Sequence, residues 1–325
     1  MHMRIEAVTK PLARPFVITG YSFTDLEAVW VQLDDDGVIG RGEGVGMYYL
    51  GETPETMIAQ LESIRAEVES GATRLDIQAL LPPGGARNAL DCAMWDMECK
   101  KAGTTIFELV GIAPQTLTTV ATIGIGTPGE MATQAVRFSD YPHLKIKLDN
   151  NQPLERLRAI RDARPDATLV IDVNQGWSRQ DLEAYLPGLE AVGVAMVEQP
   201  LPRGKDSDLE GLDCPIPLGA DESIIHLGEY DEIAPFYDVV NIKLDKCGGL
   251  TEALEIAERA KAEGKDLMVG NMTGTSLSMA PSHVIGQMCR FVDIDGPLLL
   301  AEDITPGLSY RPGGFVDPPT PTVWG

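Results

Sequence analysis

Six charged residues follow short apolar runs at nearly even intervals through the second half of the chain. Successive members are 25, 26, 23, 22 and 50 residues apart, and Asn271 divides the last gap into 28 and 22. One strand plus one helix takes roughly that many residues, and barrel enzymes carry their functional groups at the C-terminal ends of the strands. We therefore expect the six side chains to meet at one mouth: Lys147, Asp172, Glu198, Asp221, Lys243 and Asp293.

Three of these residues, Asp172, Glu198 and Asp221, are carboxylates that end different predicted strands. Converging carboxylates repel one another in a partly desolvated site unless a cation lies between them. Oxygen ligands alone favour Mg²⁺ over zinc. One such acid is equally compatible with a solvated strand end, but three at matching positions predict a magnesium site.

Two lysines, Lys145 and Lys147, are separated by one residue in HLKIKLD. Residues i and i+2 of a strand face the same way, so both side chains point either into the barrel or outward among the helices. An inward pair resists double protonation, which lowers a lysine pKa and suits one member to act as a base. Lys243 lies about four strands further on, so Lys147 and Lys243 could serve the two faces of one carbon.

Two aspartates, Asp293 and Asp295, form a DxD pair on the last predicted strand. They face the same way for the same reason as the lysines. The pair is compatible with a second metal site, with a surface pair or with a clamp for a substrate ammonium. Spacing alone leaves these three alternatives open.

The elements that position these residues fall into two groups. The first ~110 residues predict strands followed by helices, an α+β pattern. EAVWVQLDDDGVIGRGEG alternates around Asp36-Gly37, which is a strong hairpin signal. Helices are predicted over 53–70, with Thr53 as the N-cap, and over 86–103, closed by Gly103.

From Leu117 onward, apolar strands alternate with helices, which predicts a closed parallel barrel. We assign residues 1–115 to an α+β unit and 116–302 to the barrel, and we expect 303–325 to pack back onto the first unit. Eight strands are predicted over 118–125, 143–148, 168–173, 194–198, 216–220, 239–244, 266–270 and 291–294. Six helices are predicted near 128–138, 152–163, 178–191, 227–234, 250–263 and 275–287.

Composition narrows the class of partner. The formal net charge is −23, which argues against nucleic acid or an anionic membrane, since both need a basic surface. No run approaches the ~18 apolar residues of a membrane span, and the N-terminus lacks a signal-type apolar segment. The five scattered cysteines form no CxxC pair. We expect a cytoplasmic protein with reduced thiols.

Several motifs taken together resemble the enolase superfamily, in its muconate-lactonizing subgroup. They are LKIKLD, VIDVN, VEQP, GADES and NIKLDKCGGLTEAL, with ARNALDCAMWD upstream, and VDIDGP makes the chain similar to the dipeptide epimerases. The resemblance implies an α/β fold in which a modified (β/α)₇β TIM barrel carries an α+β capping domain formed by the N-terminal region and the C-terminal tail. It implies Mg²⁺ on Asp172, Glu198 and Asp221, and a homo-oligomer.

The resemblance also implies residue roles. Lys147 and Lys243 would be the acid/base pair, and Asp293 and Asp295 would hold the α-ammonium of a dipeptide. One departure concerns the loop after the first strand. Epimerases selective for Ala-Glu tend to carry an arginine there, whereas PFVITGYSFTD has no Arg or Lys between Phe16 and Asp25.

Without that arginine, an anionic second residue lacks a partner, and selectivity for a buried charge pair is large. We therefore expect a dipeptide whose second residue is neutral or cationic. Tyr21, Phe23 and Asp25 are the candidate contacts for that residue.

The hypothesis is a Mg²⁺-dependent epimerase that inverts the C-terminal residue of an L-Ala-D/L-Xaa dipeptide by 1,1-proton transfer through an enediolate. Lys145 would depress the pKa of Lys147 and contact the developing oxyanion, and Asn174 would orient the ligands. Alternatives on the same scaffold are a proline-type epimerase or dehydratase, o-succinylbenzoate synthase and muconate cycloisomerase. A metal-binding barrel without catalysis is a further alternative.

Overall fold

The computed structural model describes residues 1–325 and opens with three antiparallel strands. They are β1 (His2–Ile18), β2 (Tyr21–Asp35) and β3 (Val38–Val45). Asp36 and Gly37 join β2 to β3 with φ values of 53° and 84°. Positive φ at both central residues is what a tight hairpin of this kind requires. The predicted hairpin is confirmed.

Five helices follow: α1 (Pro54–Ser63), α2 (Arg65–Glu69), α3 (Arg74–Leu80), α4 (Gly85–Ala102) and α5 (Ile106–Val110). Thr53 caps α1 by accepting from the Thr56 N–H, and Gly103 ends α4 with φ 64°. Both terminal residues are as predicted. The predicted helix over 53–70 is split at Ile64, which leaves the helical region with φ −116° and ψ 11°. The short helices α3 and α5 were not expected.

Three glycines allow α4 to lie against β3. Gly40, Gly42 and Gly44 share one face of the strand, because they are two residues apart. A Cβ atom on any of them would lie 2.0–2.2 Å from a backbone oxygen of α4. The glycine run in IGRGEG therefore sets the close approach of helix and sheet.

Eight parallel strands form the second unit, in the sheet order β5 to β12. The sheet closes on itself through the Val120 N–H, which donates to Val292 O at 2.9 Å. The predicted barrel is confirmed. Its elements, with the preceding β4, are β4 (Leu117–Thr118), β5 (Ala121–Ile123), α6 (Pro128–Arg137), β6 (His143–Lys147), α7 (Pro153–Ala163), β7 (Thr168–Asp172), α8 (Arg179–Val192), β8 (Val194–Glu198), β9 (Leu218–Ala220), α9 (Leu227–Ile233), β10 (Val239–Ile242), α10 (Leu244–Cys247), α11 (Leu250–Ala262), β11 (Asp266–Val269), α12 (Ser276–Gly286), β12 (Phe291–Val292) and α13 (Gly296–Leu299).

Strand alternation sorts the barrel side chains into two sets. One set packs under the helices in a 56-residue core, and Ile146 and Leu148 belong to it. The other fills the barrel interior with Val170, Met196, Val239, Met268 and Phe291. Positions two residues beyond these interior side chains point toward the mouth. The residues at these positions are polar and lie at the mouth of the barrel: Asp172, Glu198, Asn241 and Asp293.

The C-terminal segment contacts both units. Strands β13 (Tyr310–Arg311) and β14 (Phe315–Val316) pair with each other, and β14 pairs with β4. The Trp324 Nε1–H donates to Cys92 O at 3.0 Å, and the Gly325 N–H donates to Asp96 Oδ1 at 2.8 Å. Both acceptors belong to α4, so the last residues tie this helix to the rest of the chain.

The tip of the β1–β2 hairpin rests on the barrel mouth. The Thr19 hydroxyl lies within hydrogen-bond distance of two carbonyl oxygens, Leu148 O at 3.0 Å and Val173 O at 3.2 Å. The Ile125 N–H donates to Val17 O at 2.9 Å. These contacts hold the hairpin over the ends of β5, β6 and β7, where it forms one wall of the cavity.

The helices and the cysteines bear on the expectations drawn from composition. The longest helix, α4, has 18 residues and buries Arg87, Asp91 and Asp96, and no helix is both long and apolar enough to cross a bilayer. All five cysteines carry free thiols.

Candidate active site

Lys145 lies at the centre of the mouth and is 1% exposed. Its Nζ lies 2.8 Å from Glu198 Oε2, 2.9 Å from Asp293 Oδ2 and 3.2 Å from Asp172 Oδ2. Burial alone would lower the pKa of Lys145, but these carboxylates raise it well above its usual value. Carboxylates, rather than a neighbouring ammonium, therefore dominate the protonation of this lysine.

Lys147 and Lys243 stand on opposite sides of the mouth, four strands apart on β6 and just after β10. Lys147 Nζ lies 2.5 Å from Asp172 Oδ2, and Lys243 Nζ lies 2.6 Å from Asp221 Oδ2. Both side chains are buried and both line the same cavity. Burial would lower the pKa of Lys243, but Asp221 raises it well above its usual value.

The three predicted metal ligands come together. Oxygen atoms of Asp172, Glu198 and Asp221 all lie within 4.8 Å of one another, and the three side chains are buried. Glu198 Oε2 and Asp221 Oδ1 accept no well-aligned hydrogen bond, although a lysine Nζ lies 2.8 Å and 2.7 Å away. Burial and the charge of Asp172 raise the pKa of Glu198 to about 8. Buried carboxylate oxygens without full partners fit a hard cation.

The balance of charged side chains at the mouth also fits a bound cation. Six buried carboxylates and four buried lysines leave two uncompensated negative charges when all are ionised. A divalent cation neutralises that remainder. The ten residues are Asp172, Glu198, Asp221, Glu222, Asp293, Asp295, Lys145, Lys147, Lys243 and Lys246.

The DxD pair is buried directly after β12, which neighbours β5 where the barrel closes. It does not lie on the predicted strand over 291–294, because β12 ends at Val292 and Asp295 caps α13. Asp293 is engaged by Lys145 at Oδ2 and by Asn271 Nδ2, 3.0 Å from Oδ1. Asp295 Oδ2 accepts from the Thr122 N–H at 2.8 Å. Burial and the neighbouring Asp293 raise the pKa of Asp295 to about 7. A cation beside this pair would favour the ionised form of Asp295 and so oppose both effects.

The cavity above these groups measures about 940 Å³ with its open mouth included, and the hairpin supplies its outer wall. Phe23 and Asp25 line it, whereas Tyr21 is 44% exposed and packs on Tyr48 at the rim, with ring centroids 4.5 Å apart. No arginine lines the cavity, and Arg14 lies exposed outside it. The cap-side lining is Leu12, Phe16, Ile18, Phe23, Asp25, Leu26, Glu27, Val45, Gly46, Tyr48, Glu52 and Pro54.

Comparison with known families accounts for nearly the whole chain. Residues 1–111 match the N-terminal domain of the mandelate racemase / muconate lactonizing enzyme family, and residues 130–321 match its enolase C-terminal domain-like partner. The chain belongs to the enolase superfamily. Within this superfamily it groups with the dipeptide epimerases, and it is an isomerase.

Individual relatives within the superfamily are similar over most of their length. The L-Ala-D/L-Glu epimerase of Escherichia coli K12 is 42% identical over 306 residues, covering 93% of this chain and 95% of that protein. An Agrobacterium tumefaciens enolase family member with homology to dipeptide epimerases, solved with sodium and L-Ala-L-Glu, is 39% identical with a TM-score of 0.97, covering 100% of this chain and 99% of that one.

A more distant solved relative carries a different dipeptide. The dipeptide epimerase of Enterococcus faecalis, solved with Mg and L-Leu-L-Tyr, is 27% identical with a TM-score of 0.89. The alignment covers 98% of this chain and 96% of that one. The superfamily fold thus accommodates dipeptides with different side chains.

Sequence reasoning missed several polar residues of this superfamily site. Lys246 Nζ lies 2.7 Å from Asp221 Oδ1 and also bonds three backbone carbonyls. Gln199 Oε1 accepts from the Asp221 N–H at 2.9 Å and from the Ser223 N–H at 3.1 Å. Gln199 lies in the motif VEQP and Lys246 in NIKLDKCGG, so these motifs could have identified both residues as part of the site. Glu222 and Tyr48 were missed as well.

Proposed function

We propose that the protein is a Mg²⁺-dependent epimerase that inverts the C-terminal residue of an L-Ala-Xaa dipeptide by 1,1-proton transfer. The observation that carries the proposal is the placement of Lys147 and Lys243 on opposite sides of one cavity, beside three converging carboxylates. Two bases on opposite faces of one carbon can remove a proton and return another with inversion.

The residues of the chain divide the remaining tasks. Asp172, Glu198 and Asp221 would hold the cation, and Lys145 would sit beside the substrate carboxylate. Asp293 and Asp295 would receive the α-ammonium of the dipeptide. When bound, Mg²⁺ supplies positive charge where negative charge develops as the α-proton leaves. One of the two lysines takes that proton, and the other protonates the opposite face.

We further propose that the second residue of the dipeptide is neutral or cationic. The outer wall of the cavity offers Phe16, Phe23 and Tyr48 to an apolar side chain and Asp25 to a cation. An anionic side chain would meet no arginine there. Burying an unpaired carboxylate is costly, so the lining disfavours glutamate. This expectation differs from the E. coli and A. tumefaciens relatives, of which the first is named for Ala-Glu and the second was solved with L-Ala-L-Glu.

Rival reactions on this scaffold are less well supported. Substrates of o-succinylbenzoate synthase and muconate cycloisomerase carry no ammonium, so they would leave Asp295 without a cationic partner. A metal-binding barrel without catalysis would need no buried lysine on either side of the cavity. Proline-type chemistry is the remaining competitor, because its substrate carries a cationic nitrogen.

The test is deuterium exchange in D₂O over a panel of L-Ala-L-Xaa dipeptides and proline derivatives with Mg²⁺, read by mass spectrometry and NMR. We expect α-deuterium in the second residue, with Xaa = Phe, Leu or Lys ahead of Glu, and loss of exchange on chelation of the metal. Absence of exchange in every dipeptide, or exchange in proline derivatives alone, overturns epimerisation of dipeptides. A preference for Glu overturns only the assignment of the second residue.

A further inference from the structure

Of the two candidate bases, Lys147 has a second side-chain hydrogen-bond acceptor that Lys243 lacks. Lys147 Nζ lies 2.5 Å from Asp172 Oδ2 and 3.2 Å from Asn174 Oδ1. The only side-chain acceptor on Lys243 Nζ is Asp221 Oδ2, at 2.6 Å. Asp172 Oδ2 is shared, since Lys145 Nζ also lies 3.2 Å from it. Asn174 is therefore the acceptor that belongs to Lys147 alone.

The orientation of Asn174 is fixed by a third residue. Its Nδ2 donates to Glu222 Oε1 at 3.2 Å, while its own backbone N–H donates to Asp172 Oδ1 at 2.9 Å. A carboxylate accepts and does not donate, so Glu222 requires the NH₂ group of the amide on its side. The amide oxygen is then turned toward Lys147. Without Glu222, only the ammonium form of Lys147 would select the amide oxygen, and the neutral amine could instead accept from the NH₂ group.

Glu222 has no evident structural role that would explain its position. It is 2% exposed, and its second oxygen, Oε2, has no hydrogen-bond partner. It forms no ion pair within 4.0 Å. Burying a carboxylate with so few partners costs stability, and such costs are typical of residues kept for positioning at a site.

We infer that Glu222 is a positioning residue for Lys147 and acts through Asn174. The hydrogen-bonded chain Glu222–Asn174–Lys147 serves one face of the cavity, because no equivalent bridge reaches Lys243. The inference rests on the proposed function, in which each lysine exchanges protons with one epimer. Loss of the bridge therefore impairs proton transfer chiefly on the Lys147 face, since Lys243 is reached by the charge of Glu222 but not by the bridge.

The experiment measures α-proton exchange and inversion separately, starting from each epimer of a reactive dipeptide in D₂O. Lys147→Ala and Lys243→Ala assign the faces, since each variant abolishes exchange from the epimer whose α-proton it would remove. In Glu222→Leu we expect exchange from the Lys147-face epimer to fall at least tenfold, with exchange from the other epimer changed less than threefold. Inversion falls equally in both directions, because the equilibrium constant is fixed.

Two further variants keep the inference falsifiable if Glu222→Leu does not fold. Asn174 has φ 44°, which glycine adopts without strain, so Asn174→Gly removes the bridge at little backbone cost and should show the same asymmetry. Glu222→Gln keeps an acceptor for Asn174 and should restore Lys147-face exchange to within about threefold of wild type. Asp206→Leu, which removes a buried acid that touches Tyr237 rather than either lysine, is the control and should affect both faces equally.

The outcomes separate the two proposals. Equal losses on both faces in Glu222→Leu and Asn174→Gly, or failure of Glu222→Gln to restore exchange, overturn the positioning role. If wild type exchanges no dipeptide from either epimer, the proposed function fails first. Binding of Mg²⁺ to each variant, measured by calorimetry without substrate, should match wild type, and a large loss of metal affinity would instead assign Glu222 to the metal site.

Discussion

At the scale of single residues, the site is a set of carboxylates and lysines whose charges offset one another. Asp295 stands out, because the Thr122 N–H is its only hydrogen-bond donor, whereas Asp293 is engaged by both Lys145 and Asn271. Burial and Asp293 raise the pKa of Asp295 to about 7. A substrate ammonium beside it would favour the ionised form. Asp295 is therefore the member of the pair that is free to bind a cationic ligand, because no cation in the protein already occupies it.

Asp295→Asn should lower kcat/KM for the dipeptide by about 100-fold, since a buried charge-assisted hydrogen bond contributes roughly 2–3 kcal/mol. In wild type, ionisation of Asp295 should make log kcat/KM rise as pH increases through about 7. The variant should lack that limb of the profile while keeping any limb that belongs to the lysines. A pH profile unchanged by the substitution would contradict an ammonium-binding role for Asp295.

Charged residues that end an apolar run were predictable, even where the strand stops one residue earlier, as it does before Asp221, but the second acid of that turn was not. Lys145, Lys147 and the metal triad followed from apolar runs and the period of two. Glu222 directly follows Asp221, and strict alternation would send it to the opposite face. The chain leaves β9 at Ala220, however, so both acids turn toward the mouth. Periodicity does not extend past the end of an element.

At the scale of elements, the β1–β2 hairpin decides what the barrel mouth can accept. Phe23 of this hairpin lines the cavity, and its ring lies 5.1 Å from that of Tyr48. Tyr48 belongs to a short 3₁₀ turn that no periodic pattern predicts. A loop was expected over 16–25, whereas most of these residues belong to β1 and β2 and pair with each other. The sequence indicated neither this pairing nor the aromatic partner that Phe23 meets.

Phe23→Arg should place a cation in the outer wall of the cavity. We expect the ratio of kcat/KM for L-Ala-L-Glu to that for L-Ala-L-Phe to rise at least tenfold, because the substrate carboxylate gains a partner. The gain should shrink at high ionic strength. Phe23→Gln removes the ring without adding charge, so an equal shift in that control would mean that space rather than charge sets the preference.

The anchor of the hairpin can be removed with little change of shape. Thr19→Val deletes the hydroxyl that contacts Leu148 O and Val173 O, while Thr19→Ser keeps it. We expect hydrogen exchange of the amides in 16–24 to accelerate and KM to rise severalfold in the valine variant. Stability should fall by only about 1 kcal/mol, a typical net value for one neutral hydrogen bond. Unchanged exchange in this segment would show that the hydroxyl does not hold the hairpin.

At the scale of the whole molecule, helix α4 joins the cap to the barrel through buried polar groups. Asp91 of α4 accepts from the Thr251 N–H at the start of α11, at 3.0 Å. Asn88 Nδ2 donates to Asp245 Oδ1 at 2.7 Å, and the Val45 N–H donates to the same oxygen at 2.8 Å. The motif ARNALDCAMWD was recognisable in the sequence, but the residues it meets lie some 160 positions away. Only the fold could supply those partners.

These interface carboxylates make stability depend on pH. Burial raises the pKa of Asp245 to about 7 from 3.8, so between those values the folded chain holds a proton that the unfolded chain has lost. Unfolding then releases that proton, and the free energy of unfolding falls as pH rises through this window. The resulting loss of stability is absent below the pKa of Asp245 in the unfolded chain and reaches at most about 4 kcal/mol above pH 7.

Asp245→Asn removes this penalty and keeps the two hydrogen bonds, because both donors use one oxygen that an amide retains. Urea unfolding at pH 5 and pH 8 should show the stability of the variant relative to wild type increasing by about 2–3 kcal/mol over that range. Asp36→Asn makes the same change in net charge at an exposed turn and should leave the difference constant. If the Asp245→Asn difference is also independent of pH, then burial of that carboxylate does not couple folding to proton binding.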